Sequence, residues 1–112
     1  DKLKTARRLF TKKIITSLPD VIITSNDLIA QGIISAAHEN GINIPNDMQI
    51  TGFDDLLSSA YFIPSVTTVS QNIDELAKRC FSMLMDLINK KSSVSSIIEQ
   101  NIIARNSAKI NI

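Results

Sequence analysis

The sequence is short of the residues on which most site chemistry depends: its 112 residues include one cysteine, one histidine and no tryptophan. Cys80 has no partner for an internal disulfide, which suits a reducing compartment and favours the cytosol. It falls on the apolar stripe of a helical pattern, where a buried, inert thiol is expected rather than a nucleophile. His38 has no second His or Cys near it, so no transition-metal set can be assembled around it. Its place late in a helix suits a surface or capping residue. The three glycines form no phosphate-cradling loop. Aromatic residues make up only 4% of the chain, and none is interleaved with the basic residues Arg7, Arg8, Lys12 and Lys13 to stack on bases, so these read as a solvated helix face. Charge of one sign is also lacking: 12 Lys and Arg against 11 Asp and Glu leave +1, without the field that drives binding to a phosphate backbone. Residues 1–10 contain no continuous apolar run and form neither a signal peptide nor a membrane span. The missing initiator methionine is compatible with a fragment or a processed protein.

What is present describes an ordinary soluble fold, with 44% apolar and 21% charged residues and a length suited to one modest core. Leu3, Ala6, Phe10 and Ile14 recur at helical spacing. Pro19 and Asp20 end that pattern, and Val21-Ile22-Ile23-Thr24 reads as a strand buried on both faces, as in parallel sheets. A helix begins at Ser25-Asn26-Asp27, runs through Ile29, Ile33, Ala36 and Ala37, and closes at Gly41. A second strand, residues 48–53, completes a strand–helix–strand unit with parallel pairing. After Pro64, residues 66–69 are extended. Asn72 and Glu75 have capping-box spacing ahead of a long helix. Its apolar face of Ile73, Leu76, Ala77, Cys80, Leu84, Leu87 and Ile88, widened by Phe81, Met83 and Met85, predicts burial of much of its circumference by core packing. Residues 96–104 form a last extended segment. The fold class is therefore α/β, a parallel sheet with flanking helices.

Open parallel sheets bind ligands beyond the carboxyl ends of their strands. Ser25-Asn26-Asp27 and Phe53-Asp54-Asp55 occupy two such ends. A carboxylate that accepts from vicinal hydroxyls and an amide that both donates and accepts suit a hydroxyl-rich ligand, a sugar or nucleoside. The same residue types also cap helices and make turns, and Asp27 reads as a plain cap. A third reading places a hard cation among Asp27, Asp54 and Asp55 for phosphoryl chemistry.

Residues 19–27, Pro-Asp-Val-Ile-Ile-Thr-Ser-Asn-Asp, followed by Ala30-Gln31-Gly32, resemble the strand-to-helix signature of the lactose-repressor/galactose-repressor family of regulators. Residues 41–47, 50–55, 64–69 with Gln71, and 103–107 resemble further signatures of that family in the same order, over nearly the whole chain. The resemblance implies the C-terminal part of an effector-binding domain with the type I periplasmic-binding-protein-like fold. Residues 1–70 and about 101–112 would belong to its C-terminal lobe, and about 71–100 would pack on an N-terminal lobe. It assigns ligand contact to Asn26 and Asp54 and puts Gln71 where the chain crosses between lobes. Phe53 would pack beneath the site, and Ser65 replaces a usual proline, loosening the hinge.

The resemblance also implies a homodimer pairing through Gln31, Ser35 and residues 58–63, in which Tyr61, Phe62 and Ile63 form an apolar cluster that is either part of the interface or loop packing against the lobe. The function so implied is small-molecule sensing in a cytoplasmic DNA-binding transcriptional regulator, not an enzyme, with no cofactor, no metal and no membrane contact. Operator DNA would be read only by an upstream helix-turn-helix. A secreted or periplasmic sugar receptor with the same lobe is the alternative, and metal-dependent phosphoryl transfer a more distant one.

Overall fold

The computed structural model describes residues 1–110. Helix α1, Lys2–Leu9, starts at Asp1, whose carboxylate accepts from the Leu3 N–H, and continues into a π-helical turn, Phe10–Ile14. Strand β1 is Val21–Ile23 and helix α2 is Asp27–Glu39. Asn26 caps α2, its Oδ1 accepting from the Ile29 N–H at 3.0 Å. At the other end Gly41, with φ of +72°, lets its N–H reach His38 O and the Ile42 N–H reach Ala37 O, the paired bonds that close a helix through a left-handed residue. His38 is exposed in the last turn.

Strand β2, Gln49–Thr51, lies parallel to β1, with Ile22 opposite Ile50, as the strand–helix–strand order predicts. Short helix α3, Leu57–Tyr61, leads to strand β3, Thr68–Ser70. The chain before β3 adds to the sheet in parallel through a bridge between Thr51 and Thr67. Helix α4, Ile73–Ile88, and strand β4, Asn101–Ile103, follow, with β4 antiparallel to β3. Residues 105–107 then return beside β2. Ser107 ties the layers together: its carbonyl accepts from the Ile50 N–H, its hydroxyl donates to Ile50 O, and that hydroxyl accepts from the Thr67 N–H.

The core lies between the α1–α2 pair and the sheet, built from Ala6, Phe10, Ala30, Ile33, Ile34, Met48, Ile50 and Val66. Four of these, Phe10, Ile34, Met48 and Ile50, are fully buried large side chains, each worth about 1.5–3 kcal/mol in transfer from water.

Several expectations are corrected. Val21 and Ile23 are exposed, because β1 pairs only with β2 and, among the described residues, nothing covers its outer edge and that face. Asn72 precedes α4 in a left-handed conformation and makes no capping bond, while Glu75 pairs instead with Arg79 at 2.8 Å, so the capping box does not form. No residue of α4 is buried, and Cys80 is exposed, since α4 projects from the core rather than lying on it; the burial expected from its periodicity fails, whereas a face left without its partner in this chain is what the resemblance implied. Ser65 is pinned rather than loosened: its hydroxyl accepts from the Asn106 N–H and its carbonyl from the Ser107 N–H. The projection is visible in size. The radius of gyration is 17.8 Å, against about 13 Å for a compact domain of this length. No helix among the described residues is long and apolar enough to cross a membrane.

Candidate functional site

Because β1 and β2 run parallel, their carboxyl ends lie side by side. The Asp27 N–H donates to Phe53 O at 2.8 Å, joining the turn after β1 to the turn after β2, and the Asp54 N–H donates to Val69 O at 3.0 Å, joining the latter to β3. The three segments carrying the predicted ligand residues are thus stitched together by backbone. Asp54 and Gln71 meet directly, with Gln71 Nε2 donating to Asp54 Oδ1 at 2.7 Å. Asn26 spends its side-chain oxygen on the α2 cap, which leaves its amide N–H groups to donate. An open pocket of about 250 Å³ lies at Asp54 and is lined by Asp55, Ser70, Asn72, Ile73 and Asp74 as well. Asn26 and Gln71 are not among its lining residues. Phe53 faces a separate apolar hollow with Ile23, Val69 and Ile102.

The turn at Asp54 is unusual in backbone. Asp54 has φ of +106° and Asp55 +52°, two successive non-glycine residues in a region that costs such residues on the order of 1–3 kcal/mol each. Side chains with no marker in the local sequence hold it. Asp55 forms a 2.6 Å ion pair with Arg105, whose guanidinium also donates to Val66 O at 2.9 Å. Both charged side chains are largely shielded from water.

Asp27 is the main correction. It is not a cap, a role taken by Asn26; it is 0% exposed, and its carboxylate accepts from Leu56 N–H, Ser59 Oγ and Thr68 Oγ1. Gly52 makes room for it, because a Cβ at that position would collide with Asp27 Oδ1. The three acids of the cation reading are therefore each engaged elsewhere: Asp27 with these donors, Asp54 with Gln71 and Asp55 with Arg105. A glycine two residues before an Asp pair was the available sequence signal for a group close to the backbone there. Nothing local marked Arg105, which lies 50 residues from Asp55.

The residues expected at a dimer surface divide. Gln31 is buried and donates to Ser58 Oγ and Ser59 Oγ, so its amide supports α3 from within rather than facing outward. Ser35 is half-buried. Phe62 packs against the core, whereas Tyr61 is 79% and Ile63 89% exposed.

A parallel strand pair flanked by helices, with polar side chains gathered at the strand ends, makes this a lobe of the periplasmic-binding-protein type. The periplasmic binding protein-like domain family matches residues 2–108, and the chain belongs to it. More narrowly, it is a fragment of the effector-binding domain of a lactose-repressor/galactose-repressor family regulator.

The HTH-type transcriptional repressor PurR of Pasteurella multocida is 35% identical over 95 residues, an alignment covering 83% of this chain and 28% of the repressor. Among solved structures, a periplasmic binding ribose operon repressor protein from Lactobacillus acidophilus superposes with a TM-score of 0.85 at 31% identity, over 97% of this chain and 40% of that one. A LacI family transcriptional regulator from Enterococcus faecium with bound ribose gives 0.85 at 25% identity, over 95% of this chain and 40% of the other. The chain thus spans between about a quarter and two fifths of the length of these relatives.

Proposed function

We propose that the chain is the effector-sensing and dimerisation lobe of a cytoplasmic bacterial transcriptional regulator, and that its effector is a sugar, with ribose the first to test. The observation that carries this is the Asp54–Gln71 pair at the strand ends. Gln71 fixes one carboxylate oxygen, and among the described residues nothing donates to the other, which suits it to a ring hydroxyl. Asn26 would donate to the same ligand. Ribose is favoured because one related regulator binds it and another is a ribose operon repressor protein.

Residues 71–100 would pack on a second lobe, closing the pocket over the ligand; the uncovered apolar face of α4 supports this. Effector would favour one lobe arrangement and so bias a helix-turn-helix elsewhere in the protein, through differential affinity for the two states. Dimer contact would come from α2 at Ser35, the end of α3 at Tyr61 and the turn after it at Ile63, with Gln31 behind them. No catalytic role is proposed, since the relatives are transcriptional repressors and regulators.

The test is calorimetric titration of ribose into the full-length regulator and its Asp54→Ala variant. The expected result is binding that weakens at least tenfold in the variant, the cost of a lost charged hydrogen bond. Unchanged affinity would remove Asp54 from the pocket.

A further inference from the structure

We propose that Asp27 is the positioning residue of the effector site and that it couples the site to the α2–α3 surface. The proposal rests on the functional reading of Asp54 above and adds a residue that touches no ligand. Its carboxylate is sealed from water and has no cationic side chain among its partners, so only hydrogen bonds compensate its lost hydration. Those bonds are directed. One oxygen accepts from Leu56 N–H at 2.8 Å, fixing the far end of the strained turn, and from Ser59 Oγ of α3 at 2.6 Å. The other accepts at 2.6 Å from Thr68 Oγ1, which itself accepts from the Asp55 N–H at 3.3 Å.

The left-handed pair Asp54–Asp55 is thereby held at its carboxyl end by Asp27 directly and in the middle through Thr68. A backbone held in such a region needs surroundings that over-determine it, and Asp27 supplies them. From the same carboxylate the bonds continue through Ser59 to Gln31, which also reaches Ser58. Movement of the turn on ligand binding therefore cannot leave α3 and the facing side of α2 undisturbed. One buried group is shared by the ligand turn and the surface proposed for the dimer.

The experiment uses the full-length regulator with Asp27→Asn, which keeps the shape but turns one acceptor into a donor facing donors. Two readouts separate this proposal from the reading beneath it. The first needs no ligand: hydrogen exchange at Asp55 and Leu56 is expected to accelerate about tenfold or more relative to α1 amides. The second is ribose titration, where affinity is expected to fall about tenfold and to fall no further when Asp54→Ala is added, because both changes disable the same carboxylate. A folded Asp27→Asn protein with wild-type exchange in the turn would overturn the proposal, as would a ribose loss fully additive with that of Asp54→Ala. If wild type ignores ribose while the turn amides still accelerate, the sugar reading fails and the positioning role stands. Should Asp27→Asn not fold, Thr68→Val removes two bonds, its own to Asp27 and the one it accepts from the Asp55 N–H, so the amide read there is Leu56, which Asp27 holds directly; Leu56 exchange within twofold of wild type would equally overturn the proposal. Ser59→Ala cuts the arm to α3 and is expected to shift the dimer dissociation constant; no shift would remove the coupling.

Discussion

Helices α1 and α4 carry the same kind of apolar stripe and meet opposite fates. In α1 and the turn after it, Ala6 and Phe10 are sealed against α2 and the sheet, whereas α4 exposes Phe81, Leu84, Leu87 and Ile88 and buries nothing. The pattern in each case specifies a helix with one greasy side. Whether that side is dry depends on an opposing surface, which α1 finds in α2 and α4 does not find within these residues.

The comparison can be pressed by mutation, each variant read by urea denaturation. Phe10→Ala in the packed region should cost about 3–5 kcal/mol, a large part of the stability of a domain this size. A loss below 1 kcal/mol would mean that the α1 layer is not the core. Arg105→Ala removes the shielded pair with Asp55 and should cost about 1–3 kcal/mol, with the turn at Asp54 loosening alongside. Gly41→Ala forces a Cβ into the left-handed region at the end of α2 and should cost about 1 kcal/mol.

Leu84→Ala, at a residue of α4 that is 54% exposed, should change the stability of the 112-residue chain by no more than about 0.5 kcal/mol. The same substitution in the full-length regulator is the sharper measurement. A cost of about 2 kcal/mol or more there identifies the face as covered, and an unchanged midpoint would show that α4 projects in the whole protein too.

Much of the lobe was legible from sequence because its signals are local. Pro19 and Asp20 precede β1, Asn26 caps α2 through a residue three positions on, and Gly41 closes it. Strand ends followed by Asn and Asp pointed to the candidate site, and Asp54 with Gln71 do meet. Asp27 is not legible in the same way, because a cap and a buried anchor are the same residue type at adjacent positions, and only the donors on α3 and β3 tell them apart. Asn72 fails as a cap for a related reason: the chain enters α4 from β3 through a left-handed residue, and its side chain makes no bond to the helix amides. For Cys80 and the methionines of α4 the stripe alone suggests a core, and the stripe holds no information about what faces it.

The sequence alone determined the order of α1, β1, α2, β2 and α4, the parallel pairing of β1 and β2, and the clustering of polar residues at their carboxyl ends. Each of these rests on interactions within a few residues or on the short reach of a connecting helix. The sequence showed no sign of α3 and drew the last strand longer than Asn101–Ile103. Tertiary structure alone decided which apolar faces are dry and which carboxylate supports the turn at Asp54–Asp55. The bonds responsible join Asp27 to Ser59 and Thr68 across 32 and 41 residues, and Arg105 to Asp55 across 50. Burial and long-range hydrogen bonds belong to pairs of surfaces, and a stripe or a lone carboxylate in the sequence carries no record of its partner.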